Sequence, residues 1–455
     1  MRVREIKYHS TNYNTTDVDF KTAVLIGQAL DKGLYMLNSI PKISQETIND
    51  FKNLTLQEIA LITISKIIGN AISYDDLKNI ITKALNFEII TEKIDENDYI
   101  CYLDRGPTCS FKDYGVRMLS RIMEHFLTIE GKNVLILTAT SGDTGGAVAQ
   151  AFHKMNKIKV IVLYPKEEIS DLQRKQMTTL GDNIIAIGIN GKFDDCQKMI
   201  KKAFADKDLL RFNLSSANSI NIGRLIPQIV YYFWSYSRII ETKEEKILFS
   251  VPSGNFGNLT GGLIAFKMGL PVIKFISAVN ENDEFPKFLK SGVYRKIDPS
   301  KKCLSSAMNV GDPSNLARLI DFYEGQINEN GIIQKKPDMD KIRSEIVSYS
   351  ISDYLTRKTI IQFYNDYKKV IEPHGAVGWA ALQIYRKRYP SHNQFKSITF
   401  ETAHPAKFPD EIISLININP ELPKSLKTLQ YKDEISNPVE IKGYQDLKLF
   451  IQKNI

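Results

Sequence analysis

The sequence is poor in the features that mark secreted, membrane-embedded and metal-binding proteins. Its 455 residues include four cysteines, which form no CxxC pair and show no metal-ligand spacing. Scattered thiols of this kind indicate a reducing compartment. No apolar run approaches the roughly 18 residues that span a bilayer. The charged start of the chain has no signal-peptide core. We therefore expect a soluble, cytoplasmic protein without a metal site.

Signatures of nucleic-acid and nucleotide binding are also missing. The formal net charge is +8, but lysine and arginine are spread along the chain without a basic stripe or interleaved aromatics. This distribution argues against nucleic acid and weakly favours an anionic ligand. The glycine-rich stretch at residues 253–262 has neither the GxGxxG fingerprint nor the Gly-Lys-Ser/Thr ending of a Walker A loop. A nucleotide cofactor is therefore not expected.

After residue 130 the chain contains a repeated alternation of short apolar strands, glycine turns and helices. Strands are predicted at residues 134–137, 159–164, 184–187, 247–251, 272–276 and 397–400. Helices are predicted at residues 147–154, 173–180, 195–205, 259–268 and 375–385. Such alternation predicts an α/β protein in which helices cover both faces of parallel sheets.

Changes in this pattern predict three domains. Apolar residues recur at helical spacing over residues 20–29, 54–72 and 75–85. This pattern predicts a mostly helical N-terminal domain at residues 1–95. A charged, turn-prone linker is predicted at residues 91–98. Residues 96–415 form the α/β domain that carries the site. The proline-containing residues 416–455 are a C-terminal extension.

The stretch Gly106–Gly115 places a lysine at the predicted start of a helix. Apolar residues recur at spacings of three and four over Val116–Leu127, and Ser110 followed by Asp113 predicts a capping box before them. Lys112 then lies in the first turn, where the helix dipole disfavours a cation. Two interpretations stay open: a surface lysine that tolerates about 0.3–1 kcal/mol, or a lysine kept uncharged for a function.

Two loops at predicted strand ends are suited to anions, because such loops lead into helix N-termini. The first, Thr138–Gly146, offers hydroxyls and backbone N–H groups to a carboxylate or phosphate, although an ordinary capped turn has the same composition. The second, Ser253–Gly262, is rich in glycine, which lets the backbone approach an anion closely. Without a nucleotide motif, the second loop predicts a site for another phosphate-bearing group.

Two further clusters are less distinctive. Ser216–Arg224 is polar and ends in Arg224, which binds an anion if it points inward and is an ordinary surface residue if it points outward. Thr402–Lys407 follows the last predicted strand and contains His404, which is either a base or a structural histidine. Spacing alone favours the surface interpretation of Arg224 and the structural interpretation of His404.

A helix-start lysine, a hydroxyl-rich loop and a glycine-rich loop together indicate pyridoxal phosphate as the cofactor. Its phosphate requires the glycine loop, its aldehyde requires an amine, and an amino-acid carboxylate requires the Thr/Ser loop. A lysine held neutral at pH 7 costs about 4.6 kcal/mol. A helix end supplies only about 0.3–1 kcal/mol of this. Burial of Lys112, and its bond to the cofactor, must supply the rest.

Five ordered motifs resemble the threonine synthases of the longer type found in enteric bacteria and fungi, which are fold-type II pyridoxal-phosphate enzymes. The resemblance extends to about residue 415. The motifs are Gly-Pro-Thr-x-x-Phe-Lys-Asp at 106–113, Thr-Ala-Thr-Ser-Gly-Asp-Thr-Gly at 138–145, Ser-Ala-Asn-Ser-Ile-Asn-Ile at 216–222, Val-Pro-Ser-Gly-Asn-Phe-Gly-Asn at 251–258 and Thr-Ala-His-Pro-Ala-Lys-Phe at 402–408. The resemblance implies a large and a small subdomain, the smaller (roughly residues 110–220) closing over the site. Glu401 departs from the glycine common in the family.

The resemblance also implies roles for individual residues. Lys112 carries the cofactor as a Schiff base, Asp143 lies near the ring hydroxyl, and the hydroxyl of Thr402 contacts the pyridine nitrogen and leaves it largely unprotonated. The residues implied at the cofactor phosphate are Gly254, Asn255, Phe256, Gly257 and Asn258. The residues implied at the substrate carboxylate are Thr140, Ser141 and Thr144, and those at the substrate phosphate are Asn218, Ser219 and Arg224.

The implied activity is a β,γ-replacement that converts O-phospho-L-homoserine and water to L-threonine and phosphate, the last step of threonine biosynthesis. The nearest alternative eliminates phosphate from the same substrate and gives 2-oxobutyrate and ammonia. Two others are a threonine or serine dehydratase, which has no need of a second phosphate site, and a non-catalytic protein that keeps the fold. The implied partner is the small-molecule substrate, without nucleic acid or membrane, and the chain is expected to be a monomer or homodimer.

Overall fold

The computed structural model describes residues 6–140, 142–435 and 441–455, apart from the side chain of Asp194. Its N-terminal segment contains β1 (Tyr8–Ser10), α1 (Phe20–Ile26), β2 (Tyr35–Leu37), α2 (Gln45–Asp50), α3 (Leu56–Ile68) and α4 (Tyr74–Ala84). The three helices predicted here are present as α1, α3 and α4, and each begins at a side-chain cap: Asp19, Thr55 or Ser73. The short antiparallel pair of β1 and β2 was not predicted.

The rest of the chain alternates strands and helices. Its strands are β3 (Ile90–Lys93), β4 (Asp98–Tyr102), β5 (Val134–Ala139), β6 (Ile158–Pro165), β7 (Ile184–Ile189), β8 (Leu214–Ser215), β9 (Ile247–Pro252), β10 (Val272–Val279), β11 (Gln326–Ile327), β12 (Ile333–Lys335), β13 (Ile346–Ser350) and β14 (Ser397–Glu401). Its helices are α5 (Lys112–Glu130), α6 (Asp143–Phe152), α7 (Asp171–Thr178), α8 (Phe193–Ala205), α9 (Ile222–Leu225), α10 (Gln228–Ile239), α11 (Gly257–Met268), α12 (Glu284–Ser291), α13 (Leu316–Phe322), α14 (Met339–Glu345), α15 (Asp353–Tyr367), α16 (Pro373–Arg388), α17 (Pro409–Ile416), α18 (Lys424–Lys427) and α19 (Tyr444–Asn454).

Two sheets organise these elements. The smaller sheet has the strand order β7-β6-β5-β8, and all its pairs are parallel. The larger sheet has the order β13-β10-β9-β14-β4-β3 and is parallel except at the pair of β3 and β4. Strands β5 and β9 are buried along their whole length, as strands covered on both faces should be. The predicted parallel α/β architecture is confirmed.

The predicted linker at residues 91–98 is wrong in its first half. Residues Ile90–Lys93 form β3, which pairs antiparallel with β4 and places Thr91 opposite Cys101. Its charged residues are tolerated because β3 is an edge strand and is only partly buried. Only the turn between the two strands retains the irregular character that the sequence indicated.

The C-terminal segment packs against helices of the smaller sheet. Helix α19 contacts α8, and the Glu434 carboxylate pairs with Arg174 of α7 at 2.8 Å. The N–H of Ile435 donates to the carbonyl of Thr178 at 2.7 Å. Among the described residues, no helix is long and apolar enough to cross a membrane.

Candidate active site

The loops that follow β5, β9 and β14 contribute to the wall of a cavity of about 1430 Å³. Every predicted site residue within the described ranges lines this cavity. These residues are Lys112, Thr140, Asp143, Thr144, Asn218, Ser219, Arg224, Gly254, Asn255, Phe256, Gly257, Asn258 and Thr402. Ser141, the remaining predicted residue, lies outside the described part of the chain. Motifs that are far apart in the sequence therefore meet at one place.

Lys112 is the first residue of α5, and its side chain is only 13% exposed. Its Nζ lies 3.9 Å from Oδ2 of Asp143. Burial lowers the pKa of Lys112 from 10.5 to about 8, opposed by the Asp143 carboxylate and assisted by the Lys407 ammonium. This change corresponds to roughly 3 kcal/mol, so burial is the main cause of the lowered pKa and brings the neutral amine within reach just above neutral pH. The interpretation of Lys112 as a surface residue is wrong.

The predicted capping box before α5 is also wrong. Asp113 turns back toward the preceding loop and accepts hydrogen bonds from the Thr108 N–H at 2.9 Å and the Thr108 hydroxyl at 2.8 Å. Ser110 Oγ receives only a long bond, of 3.4 Å, from the N–H of Lys112. Gly106 permits this arrangement, because a Cβ there would lie 2.4 Å from Asp113 Oδ2. Asp113 therefore braces the turn that carries the lysine.

Asp143 is the buried first residue of α6, and its partners were missed by sequence reasoning. Its Oδ1 accepts from Lys407 Nζ at 2.7 Å and from Gln173 Nε2 at 3.1 Å. Burial alone would raise the pKa of Asp143, but Lys407 and Lys112 hold it well below its ordinary value. The spacing of Ser170 and Gln173 is that of a capping box, so the sequence alone could have predicted that Gln173 is held in place at a helix start. For Lys407 the sequence offers only its position within the last motif.

The glycine-rich loop after β9 leads into α11, which begins at Gly257. Gly257 and Asn258 line the cavity, and the first N–H groups of a helix have no intrahelical partner, so they are free to bind an anion. Phe256 enters the helix in the left-handed region, with φ of 58°. A Cβ on Gly254 would lie 2.9 Å from the carbonyl oxygen of Ala307, so this position has no room for a side chain.

Asn258 is buried and lines the cavity, and only the oxygen of its side-chain amide has hydrogen-bond partners among the described residues. Its Oδ1 accepts from the hydroxyls of Tyr231 at 2.7 Å and Tyr232 at 2.8 Å. Its Nδ2 has no partner among the described residues. Because a buried donor without an acceptor is costly, this Nδ2 is suited to an acceptor on a bound molecule.

The polar clusters predicted for substrate have different environments. Arg224 is buried, donates from Nη1 to the carbonyl of Ala217, and has no partner for Nε among the described residues. Burial lowers its pKa to about 10, so it remains charged at neutral pH. The surface interpretation of Arg224 is therefore wrong. Thr140 lines the cavity, but its Oγ1 accepts from the N–H groups of Gly142 and Gly145 at 2.9 and 2.8 Å and so shapes the loop.

Thr402 lies just after β14, and its hydroxyl is 3.5 Å from Oε1 of Glu372. Glu372 is fully buried and caps α16 through the N–H groups of His374 and Gly375. Glu401 Oε1 accepts from the Glu372 N–H at 2.8 Å. Sequence reasoning missed this pair of carboxyl groups behind Thr402, because the two glutamates are brought together only by the fold.

His404 has a structural position. Its Nδ1 accepts a hydrogen bond from the N–H of Ala406 at 3.1 Å. Burial lowers its pKa to about 4, assisted by the cations of Arg105 and Lys407. The structural interpretation that its spacing favoured agrees with these contacts.

Three family models match the chain. The model described as pyridoxal-phosphate dependent enzyme matches residues 82–395. The model described as threonine synthase N terminus matches residues 7–85, and that described as threonine synthase, C-terminal matches residues 375–451. Together they cover most of the sequence, including the N-terminal helices and the C-terminal segment.

Individual proteins give the same picture. Threonine synthase from Buchnera aphidicola subsp. Acyrthosiphon pisum is 37% identical over 451 residues, which cover 98% of this chain and 99% of that protein. The crystal structure of threonine synthase from Escherichia coli has a TM-score of 0.88 at 33% identity and covers 99% of this chain and 100% of that one. The PLP-bound threonine synthase from Brucella melitensis has a TM-score of 0.89 at 30% identity and covers 98% of this chain and 99% of that one.

The residues present fit pyridoxal phosphate. They provide a buried lysine of lowered pKa, a glycine loop with no room for a Cβ at Gly254, and an unsatisfied amide on Asn258. Both the site and the near full-length matches therefore agree with the cofactor that the sequence indicated. The chain belongs to the threonine synthase family of pyridoxal-phosphate-dependent enzymes.

Proposed function

We propose that this enzyme converts O-phospho-L-homoserine and water to L-threonine and phosphate. The observation that carries the proposal is that two groups suited to anions, the N-terminus of α11 and the buried Arg224, line one cavity with the buried Lys112. The N-terminus of α11 suits the cofactor phosphate, and the buried Arg224 is left for a second phosphate, that of the substrate. A dehydratase acting on unphosphorylated threonine or serine has no use for the second group.

Each cofactor contact is proposed from the positions of the side chains. Lys112 Nζ holds the cofactor, the N–H groups at Gly257 and Asn258 hold its phosphate, and Thr402 and Asp143 contact its ring. The cofactor, when bound, supplies the electron sink that makes protons on carbon removable. Gly254, Asn255 and Phe256 shape the loop that presents the N–H groups. Asn255 is fixed there because its Oδ1 accepts from the N–H of Ser314 at 3.3 Å.

The substrate contacts are proposed on the same basis. Thr144 at the N-terminus of α6 takes the carboxylate, and Asn218, Ser219 and Arg224 take the phosphate. For Thr140 and Ser141 the carboxylate contact is proposed only from the resemblance of their motif to the family, since the Thr140 hydroxyl is engaged within the loop and Ser141 lies outside the described residues. Lys112 Nζ then moves protons on and off the substrate carbons, for which a pKa near neutrality is suited. The bond between the γ-carbon and the phosphate oxygen breaks, the oxygen of water joins the β-carbon, and the γ-carbon ends as a methyl group. Phosphate is the second product.

We also propose that the segment of roughly residues 110–220 closes over the bound substrate. Support comes from the separate smaller sheet, whose strands all lie within this segment. Closure excludes water until the step that requires it. A cytoplasmic location is proposed because the four cysteines, all of which lie in the described ranges, are free thiols.

The test is a product analysis with the full-length protein, pyridoxal phosphate and O-phospho-L-homoserine. We expect threonine and phosphate in equal amounts, and 2-oxobutyrate as no more than a minor product. Oxoacid as the main product overturns the proposal in favour of a phospho-lyase. Lys112→Ala is the control; it should lose both the turnover and the visible absorbance of the bound cofactor.

A further inference from the structure

A second lysine is buried behind the site. The Lys407 side chain is 0% exposed, and it is not among the described residues that line the cavity. Its Nζ lies 2.7 Å from Oδ1 of Asp143, whereas Nζ of Lys112 lies 3.9 Å from Oδ2 of the same carboxylate. One carboxylate therefore faces two lysines, and the ion pair with Lys407 is the closer of the two.

Among the described residues, the hydrogen bonds to the Asp143 carboxylate all reach its Oδ1. Gln173 Nε2 donates to Oδ1 at 3.1 Å, beside the bond from Lys407. Gln173 is itself held, because its Oε1 accepts from the N–H of Ser170 at 3.1 Å in the capping box of α7. A Cβ on Gly142 would lie 2.5 Å from Gln173, so the side chain is also packed tightly. Oδ2 is left to face Lys112.

Several titratable groups surround Lys407. The acidic groups that face it are Asp143, Asp104 and Asp113, and burial raises the pKa of the last two to about 6. His404 is neutral above pH 6, since burial lowers its pKa to about 4. Burial raises the pKa of the Cys109 thiol. Lys407 therefore lies among three buried carboxyl groups, of which Asp143 is the one it pairs with.

We propose that Lys407 is a positioning residue that holds the Asp143 carboxylate and keeps it from closing on Lys112. With Lys407 in place, the Asp143 carboxylate is held 3.9 Å from Lys112 Nζ and shares its charge between two lysines, so it stabilises an ammonium on Lys112 less than a direct ion pair would. Without Lys407, the same carboxylate pairs with Lys112 and holds a proton on its amine. The proposal deepens the proposed function, since it rests on Lys112 as the residue that binds the cofactor.

The test measures how fast the cofactor-depleted full-length protein takes up pyridoxal phosphate as a function of pH. The uptake, followed by visible absorbance, requires the neutral amine of Lys112, so the midpoint of the pH profile reports the titration of that amine. The wild-type midpoint is expected near pH 8. Lys407→Met should raise it by about one pH unit, a tenfold change in proton affinity, because a cation is lost and a carboxylate is freed. Lys407→Arg, which keeps the positive charge, should show the wild-type midpoint of the pH profile.

A matched control is Lys396→Met. Lys396 is also largely buried and pairs with Glu241 at 2.8 Å, but it is not among the described residues of the cavity. Its loss should leave the midpoint unchanged. If Lys407→Met does not fold, Lys407→Gln keeps a hydrogen-bond donor without the charge and should show the same rise.

Two outcomes separate this proposal from the proposed function. A midpoint that stays at the wild-type value in the Lys407 variants, with only the thermal stability reduced, overturns the positioning role. Uptake with an unchanged visible band in Lys112→Ala instead overturns the assignment of Lys112, and with it the proposed function.

Discussion

Arg224 is a buried arginine that donates from Nη1 to the carbonyl of Ala217, and its Nε has no partner among the described residues, which suits the proposed contact with the substrate phosphate. We predict that Arg224→Ala raises KM for O-phospho-L-homoserine by about 10- to 100-fold, because a hydrogen bond to a charged group contributes about 1.5–3 kcal/mol. kcat should fall as well, because the phosphate is the leaving group and an arginine that binds it also stabilises its departure. Steady-state kinetics with the full-length enzyme check this.

The matched control is Arg211→Ala, which removes an exposed arginine. It should leave KM unchanged, since a net charge lower by one has little effect on its own. An Arg224→Ala enzyme with the wild-type KM and intact visible absorbance would show that the substrate phosphate binds elsewhere.

Glu401 illustrates the cost of placing a carboxyl group where it cannot ionise. Burial raises its pKa well above 4.5, and the neighbouring Glu372 raises it further. Its Oε2 has no partner among the described residues. The folded state therefore holds a proton that the unfolded state releases above about pH 4.5, so this group lowers stability progressively as pH rises.

We predict that the neutral replacement Glu401→Gln makes the protein more stable than the wild type at about pH 8, with a difference that shrinks toward about pH 5. The thermal midpoint measured across this range is the readout. Glu46→Gln, at an exposed position, should show no such trend. A stability difference for Glu401→Gln that is independent of pH would mean that the carboxyl group is ionised in the folded protein.

At the scale of elements, the loop before α11 depends on the absence of a side chain at Gly254. A Cβ there meets backbone atoms, the carbonyl oxygen of Ala307 at 2.9 Å and Cα of Met308 at 3.1 Å, and backbone cannot rotate away. We predict that Gly254→Ala displaces the loop and weakens binding of pyridoxal phosphate at least about tenfold, equivalent to 1.4 kcal/mol. Equilibrium titration followed by visible absorbance measures this.

Gly443→Ala provides the control for that substitution. Gly443 has an extended backbone, with φ of −169°, and a Cβ added there would meet no atom within 4 Å, so alanine is accommodated. Its cofactor affinity should equal that of the wild type. If Gly254→Ala binds pyridoxal phosphate as tightly as the wild type, the loop can move enough to accommodate a Cβ, contrary to the close packing around Gly254.

The elements that could be predicted from the sequence are those whose burial is uniform along the chain. Strands β5 and β9 are short, mainly apolar runs, and β14 alternates apolar and polar residues although it is buried throughout; all three are predicted to within two residues of their observed ends. Helix α10 was missed because it is buried on nearly every side, which removes the apolar stripe that marks a helix. Strand β3 was missed because an edge strand tolerates charges that also mark a linker.

The site could be predicted as a set of loops but not as a set of contacts. Local motifs identified part of the cavity lining, the residues predicted for the cofactor and the substrate. The direction of Arg224, the turn of Asp113 toward Thr108, and the ion pair of Asp143 with Lys407 depend on groups that the fold brings together. Periodicity carries no information about such pairs, since both partners look like ordinary polar residues in the sequence.

At the scale of the whole molecule, Arg318 joins three parts of the chain. It is 0% exposed, and it donates from Nε to the carbonyl of Tyr35 at 2.9 Å and from Nη1 to the carbonyl of Ser219 at 3.1 Å. Its Nη2 donates to the carbonyl of Ile220. The N-terminal segment, the polar cluster of the site and α13 are thus tied together by one guanidinium group.

We predict that Arg318→Met lowers the free energy of unfolding by roughly 3 kcal/mol or more, because it leaves buried carbonyl groups without donors. It should also raise KM for the phosphorylated substrate, since the backbone of Ser219 loses its support. Arg238→Met is the matched control: that guanidinium donates to the carbonyls of Phe51 and Leu54 but to none of the predicted site residues. Urea unfolding and steady-state kinetics should show lost stability in both variants and a raised KM only in Arg318→Met. An equal rise in KM for both variants would mean that the loss of overall stability raises KM, and that support of the Ser219 backbone by Arg318 does not.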